Sequence, residues 1–227
     1  MTTGRYKLQK NCSSSMYNGK VVTKETKTQR ERRIGNANLV YIRLSHIGHK
    51  NILHLCNRPF SSIEEHDHAL VDNHNSVIAE VDLVYDLGDF AYRCSAEYAV
   101  SVLRKLNGRR VILWGNHDKP LRQALQRGMI DDLIKSGKVQ LIGSSDPRQS
   151  TSYMATIEGH DCWLSHYAHR TWPRAFRKAI HCFGHSHGNL SDLYRSTDVG
   201  VDNNRFFPVS FATILERMNK VEEFREK

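Results

Sequence analysis

Gly115-Asn116-His117-Asp118 follows the apolar run Val111 to Trp114 and sets an amide oxygen, an imidazole and a carboxylate in succession. An apolar run that stops at a glycine reads as a buried strand ending in a turn. Polar side chains crowded at the C-terminal end of such a strand lie where open α/β sheets carry their sites. Gly88-Asp89, Ser165-His166 and Gly184-His185-Ser186-His187 also begin where strands run out, and His46 lies two residues beyond the strand ending at Leu44. Carboxylate, amide oxygen and neutral imidazole are the donors that hold divalent ions such as manganese, iron, zinc or nickel. Asp89 has two oxygens and can bridge two ions, Asn116 offers a carbonyl oxygen, and His166, His185 and His187 offer ring nitrogens. In extended backbone a His-x-His pair turns both rings to one side, and Gly184 lets the chain pass close to the ions. Two ions roughly 3.5–4 Å apart would bind a phosphoryl group, activate a bridging water and stabilise the attacking and leaving oxygens. His117 then stands as general acid toward the leaving-group oxygen, with Asp118 orienting its ring.

The scaffold around these groups is legible in outline. Leu39 to Leu44, Asp82 to Leu87 and Val111 to Trp114 read as strands. Ser61-Ser62 with Glu64-Glu65 opens a helix, the acids lying at the positive end of its dipole; Ile63, His66, Leu70, Val77 and Ile78 form its stripe. Ser95 to Leu106 is a helix stopped by Asn107-Gly108, and Pro120 can open another. Val139 to Ile142, Ser152 to Ile157, Cys162 to Leu164 and Ala179 to Phe183 are further strands, with a turn at Glu158 to Asp161. Val209 onward reads as a charged helix through Lys227. Strands that first alternate with helices and then crowd together predict an α/β layered sandwich, partly parallel sheets with helices outside.

The chain has 227 residues and a net charge of +9. Residues 1–35 hold nine Lys or Arg and two acids, hence +7, which leaves +2 for the rest. This basic leader is poor in large apolar residues and is expected to be disordered or loosely attached, with a short strand at Val21-Val22; residues 36–227 form the main domain. The leader reads as a solvated tail or as an arm touching nucleic-acid phosphates. The five cysteines lack the Cys-x-x-Cys spacing of zinc or redox sites and read as reduced thiols. No apolar run is long enough for a membrane span, and the N-terminus has no signal-peptide core. The expectation is a cytoplasmic protein with no membrane partner.

The motifs jointly resemble the calcineurin-like metallophosphoesterases, and more narrowly their small bacterial and phage members. The stretches that carry the resemblance are Ser45 to Ile52 (SHIGHKNI), Asn57-Arg58-Pro59-Phe60, Gly88-Asp89-Phe90, Gly115 to Asp118, Leu164 to Tyr167, Gly184 to Gly188 and Asp198 to Asp202 (DVGVD). They run in order over about residues 38–215 and leave the leader outside. The resemblance implies two mixed β-sheets flanked by helices, with a two-metal site at the sandwich edge. By position, His46, Asp89 and His187 match ligands of the first ion, and Asp89, Asn116, His166 and His185 match ligands of the second. His117 matches the residue that contacts the scissile phosphate, and His49 a substrate or outer contact; Arg58 could hold a substrate phosphate or be structural. The implied cofactor is a pair of divalent ions, manganese favoured, and the implied partner is a phosphoester substrate, a nucleotide or nucleic acid among the candidates.

One position departs from the pattern. Where the family has Asp-x-His, this chain has Leu44-Ser45-His46. Leucine cannot ligate a metal, so the first site is expected to be weak and the second firm. No nearby acid is an obvious replacement: Asp86 lies at an odd offset from Asp89 on its strand, and Asp67 sits on a helix. Asp198 and Asp202 read as structural. Tyr167 and Trp172 either line the pocket or pack in the core. His54, His66, His68, His74, His160, His169 and His181 read as packed or solvated residues. The main expectation is a metal-dependent hydrolase of phosphomonoesters or phosphodiesters acting through a metal-activated hydroxide. The alternatives are a degenerate member that binds metal or nucleotide without turnover, and a nucleic-acid-binding or nucleic-acid-processing protein using its leader.

Overall fold

The computed structural model describes residues 16–17, 20–21, 40–143, 146 and 151–221. The chain divides into two units, Met1–Asn36 and Ala37–Lys227. In the first, strands β1 (Met16–Tyr17) and β2 (Lys20–Val21) pair antiparallel. The expected strand at Val21-Val22 thus involves Val21, while Val22 and the expected disorder of the leader lie outside the described residues.

The second unit is an α/β sandwich of two mixed sheets. The first sheet has the order β11 (Val209–Ser210), β3 (Val40–Arg43), β4 (Leu83–Asp86), β5 (Arg109–Leu113), β6 (Val139–Ile142); all neighbours are parallel except β11. The second has the order β10 (Ser196–Asp198), β9 (Ile180–Phe183), β8 (His160–Ser165), β7 (Ser152–Ile157), parallel except for the β7–β8 hairpin. The helices are α1 (Ile52–Leu55), α2 (Ile63–Val77), α3 (Ala96–Lys105), α4 (Lys119–Gln126), α5 (Asp131–Lys135) and α6 (Phe211–Met218).

Strand alternation decides which side chains enter which layer. Ile42, Tyr85, Leu87, Val111 and Leu113 face Ala155, Ile157, Cys162, Leu164, Ile180 and Cys182 of the second sheet, forming the core between sheets. The intervening Ile112 faces outward and packs with Leu70, Ala99, Val102, Leu103, Leu121 and Ala124 under the helices. The same outward face carries Asp86, which pairs with Arg43 at 2.9 Å and with Arg110 at 2.7 Å. His74 of α2 closes this buried node, 2.7 Å from Arg43 Nη1 and 3.0 Å from the Asn107 carbonyl. Asp86 therefore points away from the Asp89 cluster, as its offset predicts.

The helix starts follow their caps. The Ser62 hydroxyl accepts from Glu65 N at 3.1 Å, and the Ser95 hydroxyl from Tyr98 N at 3.1 Å, each satisfying an orphan donor of a first turn. The C-terminal element differs from the sequence expectation. Val209 and Ser210 add a strand to the edge of β3, and the Ser210 hydroxyl then caps a helix that ends at Met218. Sheet pairing overrides local helical patterning there; residues 222–227 lie outside the described residues.

Candidate metal centre at the strand ends

The chemistry-bearing residues converge on one edge of the sandwich, at the C-terminal ends of β3, β4, β5, β8 and β9. Backbone bonds stitch these ends together. His46 N donates to Asp89 O at 2.9 Å, Ile47 N to Phe90 O at 2.8 Å, and Gly184 N to His166 O at 3.2 Å. Two glycines permit the closeness. A Cβ on Gly88 would stand 2.6 Å from Gly115 Cα and 2.9 Å from His166 Nδ1, and one on Gly115 would strike the Asp89 carboxylate. His46, Asp89, His185 and His187 all take positive φ, between 48° and 65°, a conformation costly for side chains with a Cβ and found at functional sites.

Asp89 is the centre. Its Oδ2 lies 3.4 Å from His166 Nε2 and 3.7 Å from His46 Nε2, while Oδ1 accepts from His117 N at 2.8 Å. His166 Nε2 lies 2.9 Å from Asn116 Oδ1, and its Nδ1 lies 2.8 Å from the Leu87 carbonyl. With Nδ1–H donating to that carbonyl, Nε2 keeps its lone pair for a ligand role. His185 packs edge-on to His166 at 5.1 Å, and His187 lies 4.7 Å from His46 between ring centroids. Asp89, His166 and His185 each present one ligand atom, all within 4.8 Å of one another, so this group could hold a metal ion.

Unsatisfied buried atoms mark where an ion would fit. Both ring nitrogens of His46, Nδ1 of His49 and Oδ2 of Asp89 are buried without a hydrogen-bond partner. Buried polar atoms without partners are costly and call for an explanation such as an ion; a divalent cation at the cluster supplies it. Electrostatics favour a ligand role at His46, His185 and Asp89, while the Asp89 carboxylate draws a proton to His166. Burial lowers His46 well below the usual histidine range and also lowers His185, which keeps these two rings neutral, the state a metal needs. Burial raises the Asp89 carboxyl, but His166 and His46 outweigh it and the net direction is down. For His166, burial lowers, yet the Asp89 carboxylate prevails and the net direction is up.

The structure corrects two roles. Asp118 does not reach the His117 ring. It is buried beneath the site, where its carboxylate accepts from the amides of Asp89 at 2.9 Å, Phe90 at 2.6 Å and Gly115 at 2.8 Å. It braces the two ligand loops, although burial and the Asp89 charge push its carboxyl up to about 6. Arg58 is not available to a substrate. Its buried guanidinium donates to Asp202 through Nε at 2.7 Å and Nη2 at 2.8 Å, and Nη1 donates to Ser45 O at 3.1 Å and lies 2.6 Å from His66 Nε2.

Asp202 was legible only as structural, and it also belongs to the site. Its Oδ2 takes His187 Nδ1 at 2.9 Å, which fixes that ring; the sequence signal was its place in DVGVD. Cys56, His187 and Asp202 form a second group able to hold an ion. Arg58, however, already occupies both Asp202 oxygens, and its fixed charge opposes a cation there. Asp198 is structural as expected, accepting from Gly188 N at 2.9 Å and Gly200 N at 2.7 Å. Leu44 is 1% exposed and lies where a Cβ on Gly184 would strike its Cδ1. It plugs the strand end beside His46 with hydrocarbon.

Two aromatic residues flank the cluster. Tyr167 donates to Asn116 Oδ1 at 3.2 Å and packs 4.6 Å from His185; of the pair left open by sequence, it lines the site, and Trp172 packs in the core with Ala175 and Ala179. Tyr92 packs 4.1 Å from His117 and 4.5 Å from His49. The sequence reading missed it, although it follows Gly-Asp-Phe by two residues. His66, His74 and His181 are buried and hydrogen-bonded away from the cluster.

Fold and site together define a two-sheet α/β protein with a histidine–aspartate cluster able to hold a metal ion. The chain belongs to the same family as the uncharacterized protein MJ1445 of Methanocaldococcus jannaschii, to which it is 32% identical over 187 residues, 78% of this chain and 88% of that protein. It is also similar to the gene 66 protein of Mycobacterium phage L5, 34% identical over 77 residues, 33% of this chain and 37% of that protein. No protein-family model matches the chain. In fold it is similar to the protein of unknown function AQ665 from Aquifex aeolicus, with a TM-score of 0.56 at 18% identity, covering 80% of this chain and 100% of that one. Among the described residues no helix is long and apolar enough to cross a membrane.

Proposed function

We propose that the protein is a metal-dependent phosphoesterase hydrolysing phosphomonoesters or phosphodiesters at the strand-end cluster. The observation that carries the reading is the set of unpartnered buried donors on His46, His49 and Asp89, gathered with His166, Asn116, His185 and His187. Asp89, Asn116, His166 and His185 would hold one ion, and His46, His187 and the shared Asp89 a second, weaker one. A bound ion supplies Lewis acidity toward a phosphoryl oxygen and lowers the pKa of water.

The chain's own residues supply the rest. The half-buried His117 stands beside the cluster with its amide fixed on Asp89, in reach of a leaving oxygen that needs a proton. Tyr92 packs on that ring and limits its rotation. Asp118 fixes the loops that carry Asp89 and Asn116, and Asp202 holds His187. Leu44 favours a second reading, a protein that binds metal and nucleotide without turnover, because it removes an anionic ligand from the weaker site.

Hydrolysis of bis(p-nitrophenyl) phosphate across a manganese titration tests both. Turnover that chelator abolishes, manganese restores and Asp89→Asn eliminates supports the phosphoesterase. Turnover retained by D89N overturns this mechanism. Metal binding by calorimetry without turnover of any phosphoester selects the second reading.

A further inference from the structure

Arg93 follows Tyr92, the residue whose ring packs against His117 and His49 of the cluster. Its guanidinium carbon sits 5.1 Å from the centre of the Tyr92 ring, and that ring packs 4.1 Å from His117. Arg93 is exposed and makes no ion pair among the described residues. Arg58, by contrast, is spent on Asp202, Ser45 and His66. Arg93 is thus a permanent cation one ring away from the proposed proton donor, without an anion of its own.

Its position is fixed by the scaffold. Tyr92 N donates to Ile47 O at 2.9 Å, a bridge joins Ile47 to Ala91, and Asp118 holds the amides of Asp89 and Phe90. Arg93 itself has φ 54°, which costs an arginine more than a glycine and here turns the side chain back over Tyr92. A stacked guanidinium keeps its edge donors free for a phosphate.

We propose that Arg93 is a specificity-determining residue that binds a non-reacting phosphate of the substrate, so that the preferred substrate is a phosphodiester carrying a second phosphate next to the scissile one, as in an oligonucleotide. The inference rests on the phosphoesterase reading for its catalytic half.

The test compares the trinucleotide TpTpT with the dinucleotide TpT as substrates of the manganese-loaded protein. TpTpT has two scissile bonds, so without recognition its kcat/KM exceeds that of TpT by a factor of about two, the statistical value. A guanidinium–phosphate contact raises the ratio by about tenfold more, and added salt shrinks that excess. Arg93→Ala returns the ratio to the statistical value; Arg174→Gln, which removes an exposed arginine paired with Asp161, keeps the native ratio. A second readout needs no turnover: calorimetry of thymidine 3′,5′-bisphosphate in chelator, where R93A should bind about tenfold more weakly than the native chain. Turnover with an equal ratio in native and R93A proteins overturns the role of Arg93 and leaves the phosphoesterase standing. Absent turnover removes the phosphoesterase, and the bisphosphate binding then decides: loss in R93A upholds the phosphate site, and equal binding by both proteins overturns it.

Discussion

Replacing Leu44 by aspartate separates the cost of a buried charge from the gain of a metal ligand. Leu44 is 1% exposed and fills the space over Gly184 beside His46. Losing the leucine costs about 2–5 kcal/mol in packing, as for other large-to-small core changes. An uncompensated carboxylate there adds several kcal/mol, or is protonated to avoid it. In chelator the variant should therefore unfold at a temperature lower by about 10 °C or more, given roughly 2–4 °C per kcal/mol for a chain of this size. An ion bound to the new carboxylate, His46, His187 and Asp89 reverses part of this. At a hundredfold excess over its Kd, it restores about 2.7 kcal/mol, or about 5–11 °C. Thermal unfolding of native and Leu44→Asp chains across a manganese titration measures both terms. The native chain, with fewer ligands at that site, should show the smaller stabilisation at high manganese. An L44D chain whose melting temperature gains no more from manganese than that of the native chain would refute the assignment of His46 and His187 to a metal site.

Three further outcomes follow from named contacts. Arg58→Ala leaves the Asp202 carboxylate without its guanidinium and should cost about 3–5 kcal/mol in urea unfolding; R58A/D202A should cost less than the two single changes together, and strict additivity would show the pair to be uncoupled. Gly115→Ala drives a methyl into the Asp89 carboxylate and should weaken manganese binding at least about tenfold by calorimetry, since a ligand moved out of place loses its share of affinity; unchanged affinity would mean the loop relaxes freely. His74 is held neutral, far below the usual histidine value, by burial and then by Arg43 and Arg110. A base with a depressed folded pKa takes up its proton on unfolding, so stability is full above the unfolded pKa of about 6.5 and falls by up to about 1.4 kcal/mol per unit of pH below it. The native-to-H74Q comparison should show a drop between pH 6.5 and 5.5 smaller by about 1 kcal/mol in the variant, and an equal drop in both would place the proton elsewhere.

Much of the architecture was written locally. Val139 to Ile142 and Ser152 to Ile157 are strands with the bounds their patterning indicates, and Ser62 and Ser95 cap the helices they were expected to open. Local pattern suffices there because alternation and capping depend on neighbours a few residues apart. The gathering of His46, Asp89, Asn116, His117, His166, His185 and His187 was also anticipated, since each follows a strand and parallel strands bring their ends to one edge. Val209 failed the same logic: its strand exists only because β3 offers an unpaired edge, 167 positions back, as the pairing of Val209 with Ile42 shows from the numbering of the two.

The amino-acid order alone sets the donor inventory, the succession of the elements and the hydrocarbon at Leu44 where a carboxylate would ligate. The use of each polar group is settled by the folded arrangement. Asp118 adjoins His117 in sequence yet spends its oxygens on the amides of Asp89, Phe90 and Gly115, because a turn residue's neighbour in the chain need not be its neighbour in space. Arg58 and Asp202 stand far apart in sequence and saturate one another, which removes one candidate phosphate ligand. Hydrogen bonds and ion pairs act over a few ångströms and are settled by competition among all groups that folding brings within that range, a competition no linear spacing records.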